Sequence, residues 1–379
     1  MPHNQPIFRL ATAMCTFALT FAAPYLHADS FTQTNLVSDV PGLANTTDPN
    51  LKNPWGVSFS ATSPFWVSNQ AAGNSTLYDG AGNITPLVVA IPAGATPPNG
   101  PTGQVFNNGA TGFLVNGTKS NFIFDTLGGT ISAWNASAGT TAVQMAATPG
   151  AVYTGLAQDT TGGSTFLYAA NSTGNIHVFN SSWTDVTGTT FAGKFVDPSP
   201  VAGLTPFNIQ TVGSNLYITY AQLTAMGTPL PGGYVDEFDA SGNFIKRIAT
   251  GGPLSAPWGV TLAPANFGSF SNDLLIGNFG NGEILAYDAT TDMFLGTLNG
   301  ANGQPLDNPF LWALETRTGG ANDNTNALYF TAGINNQQDG LFGEITATTP
   351  EPATIFGTAT GLLALALLLR VRNRSLVHP

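Results

Sequence analysis

The sequence predicts an all-β protein, a six-bladed β-propeller, and three observations carry that prediction. Charged residues make up only 8% of the chain, while 44 glycines punctuate it; this composition suits many short strands joined by tight turns. The segment NPWGVSFS at 53–60 recurs as APWGVTLA at 256–263. Copies of the same unit start at Asn53, Pro101, Tyr153, Pro206, Ala256 and Asn308, a spacing of about 50 residues that matches propeller blades. A β-sandwich or two smaller β domains is the alternative, and the even spacing disfavours it.

Each copy repeats four strands in order. The first starts at or just after proline in most copies, as in Trp55-Gly56-Val57 and Trp258-Gly259-Val260. The second is apolar: Phe65-Trp66-Val67, Phe122-Ile123-Phe124, Phe166-Leu167-Tyr168, Leu216-Tyr217-Ile218, Leu274-Leu275-Ile276 and Leu328-Tyr329-Phe330. The third carries runs such as Ile131 to Trp134, Ile176 to Phe179 and Ile284 to Tyr287. A turn of the type Asp79-Gly80-Ala81-Gly82-Asn83 or Asp239-Ala240-Ser241-Gly242-Asn243 then leads to a fourth strand at 86–91, 142–147, 244–249 or 293–298. The sixth copy runs out after its third strand, at Gly343-Glu344-Ile345, and residues 31–40 show strand-like alternation. That segment is expected to supply the missing outer strand, because an unclosed ring would leave sheet edges exposed.

The two ends differ from the middle. Arg9 precedes an apolar run over 10–24, and Leu26-His27-Ala28 offers a small residue for cleavage; residues 1–28 read as a secretory signal peptide. Cys15 is the sole cysteine and falls inside that segment, so no disulfide is expected in the remainder. At the other end, 353–369 is an uncharged run of the minimum length for a transmembrane helix, and Arg370, Arg372 and Arg374 follow it. Clustered arginines hold such a flank on the cytoplasmic side. The intervening 29–349 segment, read as the propeller domain, holds six basic and 20 acidic residues, a formal net charge of −14. Such a surface repels phosphate backbones, and no nucleic-acid partner is expected.

Pro350, Glu351 and Pro352, followed by the apolar run and the arginines, resemble the PEP-CTERM sorting signal of Gram-negative bacteria that make extracellular polysaccharide. The resemblance covers residues 350–379. It implies recognition and removal of the tail by an exosortase, transient membrane anchoring, and a destination in the cell envelope, at the cell surface or in the extracellular matrix. The repeats are similar to NHL-type six-bladed propellers in the Pro-x-Gly-Val start and the aromatic-Asp end of the third strand. The chain as a whole also resembles an exported family of uncharacterised propeller-like proteins, which brings no activity with it.

Candidate functional residues are few. Asn69, Asp125, Asn171 and Asn278 end second strands, where side chains can face a central tunnel. An oxygen ring there suits Ca²⁺, as in the lactonase-like six-bladed hydrolases the fold resembles, where the metal polarises an ester carbonyl. The competing reading is that each residue caps the turn between strands two and three. Glu315 and Arg317 lie two apart on a strand and share a face, so they could bind a substrate carboxylate or pair with each other. Pro-aromatic pairs recur at Trp55, Phe207, Trp258 and Phe310. Trp55 and Trp258 could stack on sugars at a tunnel mouth or could pack blade against blade. His177 is the one histidine in 29–349, too little for a histidine-rich metal site. No nucleophile elbow, phosphate-binding loop or EF-hand spacing occurs. The sequence therefore favours a non-catalytic propeller that binds a glycan or protein and needs no cofactor, with a Ca²⁺-dependent lactonase-like hydrolase as the alternative.

Overall fold

Alternating apolar positions and aspartate-led turns build a set of short antiparallel sheets. A computed structural model describes residues 29–348, apart from 95–98, 225–227 and 318. Blade 1 comprises Pro54–Ser58, Phe65–Asn69, Asn74–Tyr78 and Ile84–Ala90. Blade 2 comprises Pro101–Phe106, Phe122–Thr126, Thr130–Trp134 and Val143–Ala147. Blade 3 has three full strands, Tyr153–Thr161, Ser164–Asn171 and Ile176–Asn180, with the outer one reduced to a bridge between Phe179 and Asp185. Blade 4 is Thr205–Val212, Asn215–Ala221, Tyr234–Asp239 and Phe244–Thr250. Blade 5 is Pro257–Leu262, Leu274–Asn278, Ile284–Tyr287 and Phe294–Thr297. Blade 6 contributes Leu311–Thr316, Ala327–Ala332 and Leu341–Thr348.

The ring closes as a pairing of distant segments. Ser30–Ser38 runs antiparallel to Leu341–Thr348, from Ser30 opposite Thr348 to Ser38 opposite Leu341. The closure is pinned beyond the ladder. Ser38 Oγ donates to Gly340 O at 2.7 Å, Gly340 N donates to Asp39 Oδ1 at 2.7 Å, and Lys52 bridges Asp39 and Asp339. Phe31 also packs on Phe267 of blade 5, with ring centroids 4.9 Å apart.

Turn chemistry explains the hairpins. Asp79 Oδ1 accepts from Ala81 N and Asn83 N, both at 2.9 Å, with Gly82 at φ +80°. Asp239 does the same for Ser241 N and Asn243 N, with Gly242 at φ +74°. Such carboxylates mimic a backbone turn, and glycine supplies the positive φ without a Cβ clash. Aromatic rings then join blade to blade: Trp66 of blade 1 stacks on Phe122 of blade 2 at 4.2 Å, and Phe65 meets Tyr329 of blade 6 at 4.6 Å.

The six first strands pack side by side around the axis, each against the next and blade 6 against blade 1. Their closeness depends on the position held by Gly56, Gly103, Gly155, Asn208, Gly259 and Ala313. A Cβ at Gly56 would come within 2.6 Å of Thr102 O, and one at Gly259 within 2.6 Å of Trp312 O.

The expected signal peptide and Cys15, and the tail with Pro350, Glu351, Pro352, the 353–369 segment and Arg370, Arg372 and Arg374, lie outside the described residues. Among the described residues no helix is long and apolar enough to cross a membrane.

Candidate functional site

Two cavities open on the axis, one at each end, and an aromatic layer lies between them. The layer forms because the residue before the glycine position is aromatic in four blades: Trp55, Phe207, Trp258 and Trp312. The chain turns through a left-handed residue two positions ahead of each tryptophan, at Asn53 (φ +45°), Ala256 (φ +49°) and Phe310 (φ +57°). Such a bend costs a non-glycine residue about 1–2 kcal/mol, and here it aims each indole at the axis. Trp55 stacks on Trp312 at 3.5 Å, and Trp258 meets Trp312 edge-on at 5.7 Å. Trp258 Nε1 donates to Thr154 O at 2.9 Å and Trp312 Nε1 to Asn53 Oδ1 at 3.1 Å. Trp55 Nε1 is buried without a partner.

The larger cavity, about 620 Å³, opens where the second strands end. Residues just past those strands form its rim, among them Gln70, Leu127, Ser172, Leu223 and Phe279, with Gln337 from the turn that follows blade 6's second strand, while Trp55, Phe207 and Trp312 line it from the aromatic layer. Among the described residues, none that lines it is charged or titrates near neutral pH. The smaller cavity, about 220 Å³, opens at the far ends of the first strands and is lined by Ser58, Phe59, Gln104, Phe106, Gln210 and Glu315, with Trp258 at its aromatic wall.

The four strand-end residues do not hydrogen-bond to one another; each serves its own neighbourhood. Asn69 Nδ2 donates to Asn74 Oδ1 and Thr76 Oγ1, both at 2.9 Å. Asn171 Oδ1 accepts from Val152 N at 3.0 Å and from Thr173 Oγ1 at 2.8 Å. Asn278 links Ser255 N and Pro253 O ahead of blade 5. Asp125 is fully buried and accepts from Thr102 Oγ1 at 2.7 Å. Burial pushes its carboxyl up to about 7, and the Thr102 hydroxyl only partly opposes that. Among the described residues no group of three or more His, Cys, Asp or Glu side chains is arranged to hold a metal ion.

Glu315 and Arg317 go separate ways. Arg317 pairs with Asp323 at 2.8 Å and lies over the rings of Phe59 and Phe65 at 4.9 and 4.7 Å. Glu315 faces the smaller cavity, where Gln210 Nε2 donates to its Oε1 at 3.0 Å, and burial pushes its carboxyl up to about 8. His177 lines neither axial cavity; its Nδ1 lies 2.8 Å from the Tyr153 hydroxyl, and burial lowers its pKa. Sequence reasoning did not single out Gln104, Gln210, Phe279 or Trp312. Aligning the copies on the glycine position exposes part of the set, since Ser58, Val105, Ala157, Gln210, Thr261 and Glu315 then share one column.

No known protein family profile matches the chain. Two uncharacterised proteins of Acanthamoeba polyphaga mimivirus are each 28% identical over 82% of this chain, and the matches cover 78% and 84% of their own lengths. Their names carry no activity, and they lend nothing to the Gram-negative origin that the tail suggests. Among solved structures, the soluble aldose sugar dehydrogenase of Escherichia coli superposes with a TM-score of 0.51 at 12% identity, covering 84% of this chain and all of that one. A streptogramin B lyase gives a TM-score of 0.47 at 12% identity over 84% of this chain and 98% of its own. At such identity the likeness to the dehydrogenase is one of fold, and it agrees with what the sheets show: the chain is an all-β, six-bladed propeller.

Proposed function

We propose that this propeller is a binding protein whose ligand is neutral and ring-shaped, of the glycan class, held in the larger axial cavity. One observation carries the reading: a cavity of about 620 Å³ combines aromatic and aliphatic walls with amide and hydroxyl groups, and no ionisable side chain lines it among the described residues. Flat apolar rings suit sugar faces, and uncharged polar groups fix orientation. Acid–base chemistry, by contrast, needs a positioned titrating group near the substrate. Export and exosortase sorting belong to the same reading and rest on sequence motifs alone, the signal-peptide segment at 1–28 and the sorting signal at 350–379. They would bring the domain to an extracellular polysaccharide or matrix protein as partner.

Titration of the protein with neutral oligosaccharides, followed by tryptophan fluorescence, tests the assignment. Saturable quenching is expected, because the stacked pair Trp55 and Trp312 lies directly beneath the cavity, with the edge of Trp55 exposed to it. Leu223→Trp at the rim should obstruct entry and abolish the signal. Absence of any saccharide response, or Ca²⁺-dependent turnover of lactones and aryl esters, would overturn the reading in favour of nothing or of the hydrolase.

A further inference from the structure

One side of the larger cavity's mouth is built on a strained turn. After blade 6's second strand, Asn335, Asn336 and Gln337 follow one another at φ +51°, +54° and +65°. Among the described residues no other three consecutive non-glycine residues share positive φ. Left-handed residues that bear a Cβ are costly and normally occur singly, and such strain gathers at ligand clamps. The turn is held by Gln337 N, which donates to Gly333 O at 2.8 Å, and by Asn335 Nδ2, which donates to Asp339 Oδ2 at 2.7 Å. It brings the half-buried Gln337 side chain into the cavity lining.

A chain of hydrogen bonds fixes which end of that amide is left for a ligand. The Trp312 indole N–H can only donate, so the atom it reaches in Asn53, at 3.1 Å, is Oδ1. Asn53 Nδ2 therefore turns to the two glutamines, 2.9 Å from Gln70 Oε1 and 3.4 Å from Gln337 Oε1. Gly333 makes room for this junction, since a Cβ there would collide with Asn53 Oδ1. Gln70 commits its Nε2 to Asn99 O at 2.6 Å. Gln337 Nε2 has no hydrogen-bond partner among the described residues and is not enclosed by protein.

We infer that Gln337 selects the ligand by donating its amide N–H to a carbonyl oxygen, so that the glycan held in the larger cavity is an acylated one, bearing an acetamido-type substituent. This deepens the glycan reading and rests on it. A carbonyl oxygen accepts and brings no donor of its own, which suits an amide nitrogen with no acceptor beside it. Leu127, Leu223 and Phe279 in the same lining offer apolar surface for the acyl methyl. A hydroxyl would bring a donor as well and nothing for that apolar wall. A carboxylate also accepts, but no basic side chain lines the cavity among the described residues, and the 29–349 segment carries a formal charge of −14 that repels anions.

Calorimetric titration of the full chain with triacetylchitotriose and with cellotriose tests this, because the two sugars share a backbone and differ in bearing acetamido or hydroxyl groups. Single-site binding of the acetylated sugar about tenfold tighter than cellotriose is expected, the worth of one hydrogen bond and one buried methyl. Gln337→Glu keeps an oxygen for Asn53 but turns an acceptor toward the ligand. It should weaken the acetylated sugar about tenfold without weakening cellotriose, at unchanged near-ultraviolet circular dichroism. Gln337→Ala should erase the same preference and serves if the first variant fails to fold. Equal binding of the two sugars by the parent, or a preference that survives in the folded variants, overturns the inference and leaves the glycan reading standing. If neither sugar binds, both fall.

Discussion

Asp125 shows how much one side chain can shape the response to pH. Its folded-state pKa, about 7, lies above the ordinary 3.8 because the carboxyl is wholly buried. The folded protein thus holds a proton that the unfolded chain releases. The associated stability is fully present below about pH 4 and is lost as pH rises toward 7, on the order of 2–4 kcal/mol. Glu315, raised to about 8 from 4.5, adds a slope of the same sign. Asp125→Asn should flatten the dependence: thermal melts at pH 4.5 and pH 8 should differ less in the variant than in the parent, and an unchanged difference would refute the assignment. At this scale the sequence was partly legible. Glu315 stood out as an acid in a column of neutral residues. The partnerless Nε1 of Trp55 did not, because burial without a partner depends on neighbours that are remote in the chain.

At the scale of the element, the inner strands and the closing strand matter most. Gly56 and Gly259 face backbone carbonyls of the next blade at 2.6 Å from a would-be Cβ, and backbone cannot swing aside as a side chain can. Gly56→Ala should cost about 1–3 kcal/mol, read as a lower urea midpoint with unchanged slope; a shift below about 0.5 kcal/mol would be that of an ordinary surface site. Removing 30–38 should leave Leu341–Thr348 as an exposed edge. The expected outcome is a large drop in melting temperature with aggregation, and an unaltered melt would show that the strand is dispensable. Strand positions were readable because each is an apolar run between turn formers. The outer strand of blade 3 is an instructive exception. Trp183 adopts φ +67°, and Pro198 and Pro200 cannot donate to a ladder, so the stretch after Asn180 wraps the blade as turns.

For the whole molecule, the even spacing revealed six blades because each blade solves the same packing problem with the same unit. The two axial cavities stayed hidden for the complementary reason. Each is assembled from short stretches of several blades, about 50 positions apart, and no one stretch marks them. Trp55 and Trp258 were legible as aromatic anchors, but whether they lie at a rim or in a stacked layer depends on Trp312 and Phe207 arriving from other blades. A chain ending at residue 349 is expected to melt at the same temperature as the full chain, because Thr348 already pairs with Ser30 at the start of the closing strand; a lower melt would extend the folded unit into the tail.

Ring closure has one more consequence, a mechanical one. Leu341–Thr348 is hydrogen-bonded on both flanks, to Ser30–Ser38 and to Ala327–Ala332. A load applied from beyond residue 348 therefore shears two ladders at once, with many bonds sharing the force. The same load on Phe294–Thr297, which ends its sheet, would peel one ladder bond by bond. If the domain is tethered through its tail, the attachment falls on one of its most tear-resistant strands, and single-molecule pulling from that end should give the higher rupture force.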